Sequence, residues 1–257
     1  MAIIDKFDLT GRTALVTGAS SGLGWRFAEA LAEQGAHVVL AARRTERLDE
    51  LEDQIEAAGG KATTVALDVT DRASIDAAFA AIGDAGLTAD ILVNNAGIAR
   101  EAWALDMTAD DWSSVMDTNL NGVWFVAQTA ARRMVEAGTG GSIVNIASLL
   151  GLRVSPTLSA YAVAKAGVVQ MTRALALEWA RHRIRVNAIA PGYVLTEINR
   201  HFFASEDAKP FIARIPQRRI GEPDELDGAL LLLASPASSF MTGSVITVDG
   251  GHGLAFG

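Results

Sequence analysis

The segment Thr13-Ala14-Leu15-Val16-Thr17-Gly18-Ala19-Ser20-Ser21-Gly22-Leu23-Gly24, continuing as WRFAEALAEQG, decides the fold. An apolar, β-branched run enters a glycine turn, and a helical pattern leaves it. Missing Cβ atoms at Gly18, Gly22 and Gly24 would let a backbone approach a pyrophosphate. The helix start adds free N–H groups and the positive end of a dipole. The spacing is G-x-x-x-G-x-G rather than G-x-G-x-x-G, and no Lys-Ser/Thr follows, so the turn is not a P-loop. The plainer alternative is a turn that only closes a βα unit. Its place in the first such unit favours a dinucleotide site, with Ser20, Ser21 and Leu23 in the same turn.

Outward from this turn, similar runs recur at 13–17, 37–41, 63–69, 90–95, 142–148, 184–190 and 245–249. Each is mostly apolar rather than alternating, as in strands buried on both faces of a parallel sheet. Helical patterns fill the intervals at 23–34, 45–58, 71–82, 109–136, 158–181 and 224–234. Strands alternating with helices predict a doubly wound α/β sheet with helices on both faces. The 257 residues contain no linker and no repeat, which predicts one domain over 1–257. Segment 192–222 is too long for a simple connection and reads as a substrate-covering insertion. Phe202, Phe203, Phe211 and Ile212 would give it an apolar face. A helical pair that packs on the core is compatible with that.

Composition narrows the function classes. Half of the residues are hydrophobic, enough for a sizeable core, yet no charge-free window is long enough to span a bilayer. The opening MAIIDKFDLTGR has no signal-peptide core, so a soluble cytoplasmic protein with no membrane partner is expected. The absence of cysteine excludes disulfides, thiolate nucleophiles and Cys-ligated metals. His37, His182, His201 and His252 are scattered, and no metal site is expected. A net charge of −8 with no basic stripe argues against nucleic acid as partner.

The second apolar run ends Val39-Leu40-Ala41-Ala42-Arg43-Arg44. An NAD site places a carboxylate here for the ribose hydroxyls. Ala42 followed by two guanidiniums suits a 2′-phosphate, so NADP(H) is preferred over NAD(H). The alternative is a pair of solvated arginines, with Arg44 on Glu46 or Glu50. Further on, Tyr161 and Lys165 in SAYAVAKAGVVQM lie four apart and share a helix face. A phenol with a pKa of about 10 is a poor acid or base at neutral pH, and a neighbouring ammonium lowers it. The pair suggests a tyrosine tuned to pass a proton, against the plain reading of a core tyrosine and a solvated lysine. Ser148 ends a strand, where ligands meet open α/β sheets, and could hydrogen-bond a substrate oxygen. IASLLG lacks the G-x-S-x-G elbow of a hydrolase, and a capping serine is the structural alternative.

Taken together, these residues resemble the short-chain dehydrogenase/reductase superfamily, in its single-domain, carbonyl reductase-like branch. Nearly the whole chain takes part: Thr17-Gly18-x-x-x-Gly22-x-Gly24, Asn94-Asn95-Ala96-Gly97, Asn119 in TNLNGVWF, Ser148, Tyr161-x-x-x-Lys165, and Pro191-Gly192 with Thr196. The resemblance implies a Rossmann-type sheet of about seven parallel strands and hydride transfer between a nicotinamide and a ketone or secondary alcohol. It implies a catalytic set of Asn119, Ser148, Tyr161 and Lys165, with Lys165 also holding the nicotinamide ribose and Asn119 a relay water. Asp68 would meet the adenine amino group with Val69 beside the ring. Asn95, Ala96 and Gly97 would border the adenosine ribose. Ile189, Pro191, Gly192, Val194 and Thr196 would flank the nicotinamide. Homotetramers are implied, through helices 109–136 and 158–181 and through the last strand.

For the substrate, Ser148 and Tyr161 would meet the reacting oxygen. Leu149, Leu150, Val154, Trp103, Tyr193, Ile198 and Phe202 could wall a mostly apolar pocket, while Arg100 and Arg153 leave room for an anionic group. The alternatives are a 3-oxoacyl-thioester (acyl-carrier-protein) reductase, an NAD-dependent sugar or polyol dehydrogenase, and a nucleotide-sensing module without activity.

Overall fold

The computed structural model describes residues 2–197 and 199–255. Its elements run β1 (Thr13–Thr17), α1 (Gly22–Glu33), β2 (His37–Ala42), α2 (Thr45–Ala57), β3 (Lys61–Ala66), α3 (Arg72–Asp84) and β4 (Ile91–Asn94). The second half runs α4 (Ala109–Met116), α5 (Val123–Ala137), β5 (Gly141–Ile146), α6 (Ser159–Trp179) and β6 (Ile184–Pro191). Two short helices, α7 (Arg200–Phe203) and α8 (Lys209–Ile212), precede α9 (Asp227–Ala234) and β7 (Val245–Val248). All seven strands are parallel, in the order β3-β2-β1-β4-β5-β6-β7. This is the expected Rossmann-type sheet.

The inner strands are apolar throughout because both faces are covered. Leu15 of β1 points into a layer built with Ile75 and Phe79 of α3, Val126 and Met134 of α5, and Val168 and Leu175 of α6. Its neighbours Ala14 and Val16 point the other way, towards Phe27 and Leu31 of α1, Leu48 and Leu51 of α2, and Leu230 and Leu233 of α9. The chain leaves β1 for β2 on one side and returns beside β1 on the other as β4. The carboxyl ends of β1 and β4 therefore open a crevice at the point where strand order reverses.

Three expectations need adjustment. Continuous burial fails at the edges: β3 has exposed ends and β7 has no buried residue, since an edge strand has a neighbour on one side only. β3 also stops at Ala66, so Asp68 and Val69 lie beyond it. The pattern at 109–136 is not one helix, because a π-helical segment, Asp117–Gly122, separates α4 from α5. Such segments often mark functional positions.

Segment 192–222 does fold as an excursion with short helices, and its stem is tied. Gly221 N–H donates to Tyr193 O (3.0 Å) and Leu195 N–H to Gly221 O (2.8 Å). A cavity of about 620 Å³ lies at the opposite end of the sheet, between Arg12, Asp90, Arg183 and Phe240. None of the predicted site residues lines it.

The tightest packing is at the first turn. A Cβ on Gly24 would stand 2.3 Å from Gly18 O and 2.5 Å from the Asn95 amide nitrogen. Backbone cannot yield as a flexible side chain can, so overpacking here costs about 1–3 kcal/mol. Gly24→Ala is expected to lower Tm by several degrees, at about 2–4 °C per kcal/mol for a chain of this size. A thermal melt checks it; an unchanged Tm would show that the turn has slack.

Candidate active site

Thr17, the last residue of β1, organises the crevice. Its Oγ1 accepts from Asn95 N–H (3.0 Å) and Ala96 N–H (3.1 Å). The Asn95 amide returns bonds to Thr17 O (3.0 Å) and Gly18 O (3.3 Å). Gly18 and Gly22 have φ of 68° and 58°, a region that favours glycine, and Gly18 packs on Ala96 where a Cβ would lie 2.9 Å from its Cα. The turn is thus a cradle of bare backbone at the start of α1, and it suits a pyrophosphate. Thr196 closes it from above, with its methyl 3.6 Å from where a Gly22 Cβ would sit.

The arginines after β2 divide the work. Arg44 Nη2 donates to Ser20 Oγ (3.1 Å) and Ser21 Oγ (3.4 Å), so its guanidinium lies against the glycine turn. The anticipated carboxylate partners are taken elsewhere or unused: Glu50 pairs with Arg47. Arg43 is exposed, and its charge acts on Asp68. Burial by itself raises the Asp68 carboxyl, but bonds from the Thr70 hydroxyl (2.7 Å) and N–H (2.9 Å), with Arg43 nearby, carry it below its ordinary range. Asp68 is not the cap of α3; Asp71 is, accepting from Ala73 N–H (2.9 Å). Val69 is buried against Gly122.

Ser148, Tyr161, Lys165 and Asn119 come together at the ends of β4 and β5. Ser148 Oγ accepts from Leu150 N–H (3.0 Å), capping the turn Leu149–Gly151. Its own O–H faces the Tyr161 phenol, so the serine caps the turn and at the same time presents its donor where an oxygen beside Tyr161 would sit. A Cβ on Gly151 would lie 2.7 Å from Lys165 O, which packs this turn directly on α6. Lys165 is buried, and its Nζ donates to Ile146 O (2.7 Å), 5.7 Å from the centroid of the Tyr161 ring. The solvated-lysine alternative is therefore excluded.

The expected lowering of the Tyr161 pKa is not found in the folded chain. Burial raises the phenol, the Ser148 hydroxyl opposes this, and Tyr193 adds to the rise. The Lys165 ammonium is directed at Ile146 O, and burial lowers its own pKa to about 8.

Asn119, in the π segment, is fully buried and clamps a loop rather than a strand. Its Oδ1 accepts from Ile98 N–H (2.8 Å) and its Nδ2 donates to Ile98 O (2.8 Å). Gly97 sits between Asn119 and Lys165, with room for no more than a tight Cβ (3.3 Å and 3.7 Å).

On the opposite wall, Gly192 packs on Asp249, and Thr196 N–H donates to Asn199 Oδ1 (2.8 Å), whose amide caps Val194 O (2.8 Å). Ile189 and Pro191 end β6 beside it. Tyr193, Phe202, Phe203 and Phe211 form an aromatic cluster, with Tyr193 and Phe211 centroids 4.4 Å apart. Leu149 and Leu150 are buried beneath, whereas Val154 and Trp103 are 88% and 64% exposed and wall nothing in this structure. Ile198 lies outside the described residues.

Two features had no sequence signal. Arg47 stacks over Trp25 (4.8 Å) and reaches Glu197 (3.7 Å), joining α2, α1 and the loop after Thr196. His252 joins the aromatic cluster from the chain's end. Among the described residues, no group of three or more His, Asp or Glu side chains could hold a metal, and no helix is long and apolar enough to cross a membrane.

A doubly wound sheet with a bare-backbone cradle and a Ser–Tyr–Lys set at its carboxyl end defines a dinucleotide-dependent oxidoreductase. The chain belongs to the short-chain dehydrogenase/reductase family. The family model described as enoyl-(acyl carrier protein) reductase matches residues 18–253. Gluconate 5-dehydrogenase of Gluconobacter oxydans (strain 621H) is 44% identical over 249 residues, 96% of each chain. A 3-oxoacyl-[acyl-carrier-protein] reductase of Thermotoga maritima is 39% identical over 95% of this chain and 98% of its own. The crystal structure of a gluconate 5-dehydrogenase from Burkholderia cenocepacia J2315, in complex with NADP and tartrate, superposes with a TM-score of 0.95 at 39% identity. It covers 99% of this chain and 100% of that one. This chain is accordingly a dehydrogenase of the NAD(P)-using kind.

Two expectations follow from the geometry. A hydrogen bond to a charged group contributes about 1.5–3 kcal/mol, so Arg44→Ala should raise KM for NADPH about 10- to 100-fold. KM for NADH should change little, and equal effects on both would count against phosphate recognition. Lys165→Met should remove activity yet raise Tm at neutral pH, because it relieves a buried charge. The displacement from 10.5 to about 8 sets that gain at no more than about 3 kcal/mol. With a folded pKa below the unfolded one, the wild type carries this cost in full below about pH 8 and sheds it as pH rises towards the unfolded value. The Tm gap between variant and wild type should therefore narrow between neutral and alkaline pH; a constant gap would refute the assignment.

Proposed function

We propose that this protein is an NADP(H)-dependent dehydrogenase that interconverts a secondary alcohol and a ketone on a polyhydroxylated acid of the gluconate class. The observation that carries the chemistry is the convergence of Ser148, Tyr161 and Lys165 at the sheet's carboxyl end, beside the Gly18–Gly24 turn. The contact of Arg44 with Ser20 and Ser21 supports the 2′-phosphate form of the cofactor. The substrate class rests on the gluconate-acting relatives and on Arg100 and Arg153, which are available for a carboxylate. Arg100 has one distant partner, Asp111 (3.8 Å), and Arg153 spends only its Nε, on Gly253 O (2.8 Å).

The residues proposed to hold the dinucleotide are Gly18, Ser20 to Gly24, Arg43 and Arg44, Asp68 and Val69, Asn95 to Gly97, Tyr161, Lys165, and Pro191, Gly192, Val194 and Thr196. When bound, it supplies or accepts the hydride at the carbinol carbon. The chain's own residues handle the oxygen. Ser148 O–H donates to it and steadies developing charge. Tyr161, kept protonated by burial, gives its proton to that oxygen in reduction and retrieves it in oxidation. Lys165, its pKa lowered by burial to about 8, holds a proton beside the phenol. Asn119 fixes the Ile98 loop that forms the floor between them.

The 3-oxoacyl-thioester reductase remains a second reading, because several relatives bear that name and the Phe202, Phe203 and Phe211 rings would suit an acyl chain. A homo-oligomer is part of the proposal: Leu177 on α6 is 83% exposed and β7 leaves the sheet edge open.

The test is a panel: gluconate with NADP⁺, 5-oxogluconate and a 3-oxoacyl thioester with NADPH, read at the nicotinamide absorbance. Turnover of the sugar acid above the thioester is expected, and the reverse order would overturn the substrate class. Tyr161→Phe should lower kcat by about 10²–10⁴ while leaving NADPH binding intact. Reduction needs the phenol and oxidation the phenolate, so in wild type the oxidation rate should climb towards alkaline pH while reduction declines.

A further inference from the structure

The chain's last described turn reaches the substrate side of the site. Asp249 accepts from Gly251 N–H (2.8 Å) and Gly253 N–H (2.7 Å), which makes a rigid knuckle. The knuckle is pinned on three sides. Gly192 packs on Asp249; Gln217 N–H donates to Gly250 O (3.2 Å); Arg153 Nε donates to Gly253 O (2.8 Å). Gly253 also lies against Leu149, the residue after Ser148, where a Cβ would meet Leu149 Cδ1 at 2.8 Å. His252 is the side chain this knuckle presents.

The imidazole sits against Tyr193 (centroids 5.5 Å apart) and Phe211 (5.6 Å). Tyr193 in turn lies close enough to Tyr161 to influence its ionisation. His252 is thus one ring removed from the residue proposed to move the proton. Its Nδ1 is shielded from solvent and has no hydrogen-bond partner among the described residues. A shielded polar atom without a partner is costly, so it calls for a water or ligand group to pair with. Here it is set among aromatic rings on the substrate side.

We propose that His252 is a substrate-recognition residue whose Nδ1 hydrogen-bonds a hydroxyl of the substrate away from the reacting carbon. A hydroxyl both donates and accepts, so it satisfies either imidazole tautomer. Nδ1 is covered in the unliganded arrangement, so the substrate reaches it as the Tyr193 and Phe211 rings part; those rings would then receive the C–H face of a sugar chain, while the imidazole selects for the hydroxyl. A ketone without that hydroxyl would leave Nδ1 unpaired in the closed site, which is the stronger form of discrimination. The inference rests on the polyhydroxylated-substrate reading above.

The experiment compares wild type, His252→Phe and His252→Gln on two ketones, one polyhydroxylated (5-oxogluconate, with fructose and tagatose as neutral counterparts) and one unsubstituted (2-heptanone). His252→Phe retains the ring stack and removes the hydrogen bond. It should lower kcat/KM for the hydroxylated ketone about 10-fold or more, chiefly through KM, and leave the unsubstituted ketone unchanged or improved. His252→Gln should recover part of the loss. NADPH titration, followed by its fluorescence, should be the same for all three, which separates a folding defect from a binding one. Equal effects on both ketones, or none on either, would overturn the proposal. If wild type reduces fructose or tagatose but not 5-oxogluconate, the sugar-acid assignment fails, and His252 is judged on the neutral ketoses by the same ratio.

Discussion

Everything the site does depends on how closely β1 and β4 are joined at their carboxyl ends. Thr17 and Asn95 exchange bonds through hydroxyl, amide and backbone, and the Gly18 and Gly24 backbones press together where no Cβ could fit. Strand order reverses at this seam, so no helix crosses it and the crevice stays open. A turn so tightly determined gives a fixed set of N–H groups rather than a flexible loop. Asn119 and Lys165 are held to the same seam by Ile98, Gly97 and Ile146. The cofactor cradle and the proton-handling groups are therefore parts of one rigid construction.

That construction includes costs that a fold selected only for stability would avoid. A lysine is buried with one carbonyl as its partner, and an amide chain runs from Asn94 to Asn145 (3.1 Å) to Thr172 (2.9 Å) through the layer beside it. The amides are satisfied, so they specify register across β4, β5 and α6 at little expense. Lys165 is different, because burial acts directly against its charge. Its persistence there is intelligible if a proton must be held at that point, and stability is relinquished for that purpose.

The sheet was legible because both-face burial turns strands into plain apolar runs; β1 and β6 begin where the pattern places them. Legibility declined where tertiary context intervenes. β3 is an edge strand: Leu67 N–H still donates to Ala42 O of β2 (3.0 Å), and only Asp68 and Val69 leave the ladder. The pattern at 109–136 could not reveal a π segment, since one inserted residue hardly disturbs a helical period. At the site, residues confined to short motifs could be located: Ser148, Tyr161 and Lys165 come together at the end of β5. The Arg44 contact could be anticipated only as one of two adjacent arginines, because which of them turns inward depends on the start of α2. His252, some ninety residues from Tyr161 along the chain, has no local pattern at all.

The pKa of Tyr161 shows how sequence logic and folded environment can part. Spacing alone puts an ammonium one turn from a phenol, and Coulomb attraction then predicts acidification. The fold removes water from both groups and directs the ammonium to a carbonyl, so each is pushed towards its neutral form. A protonated phenol beside a lysine that gives up its proton easily is arranged for donation.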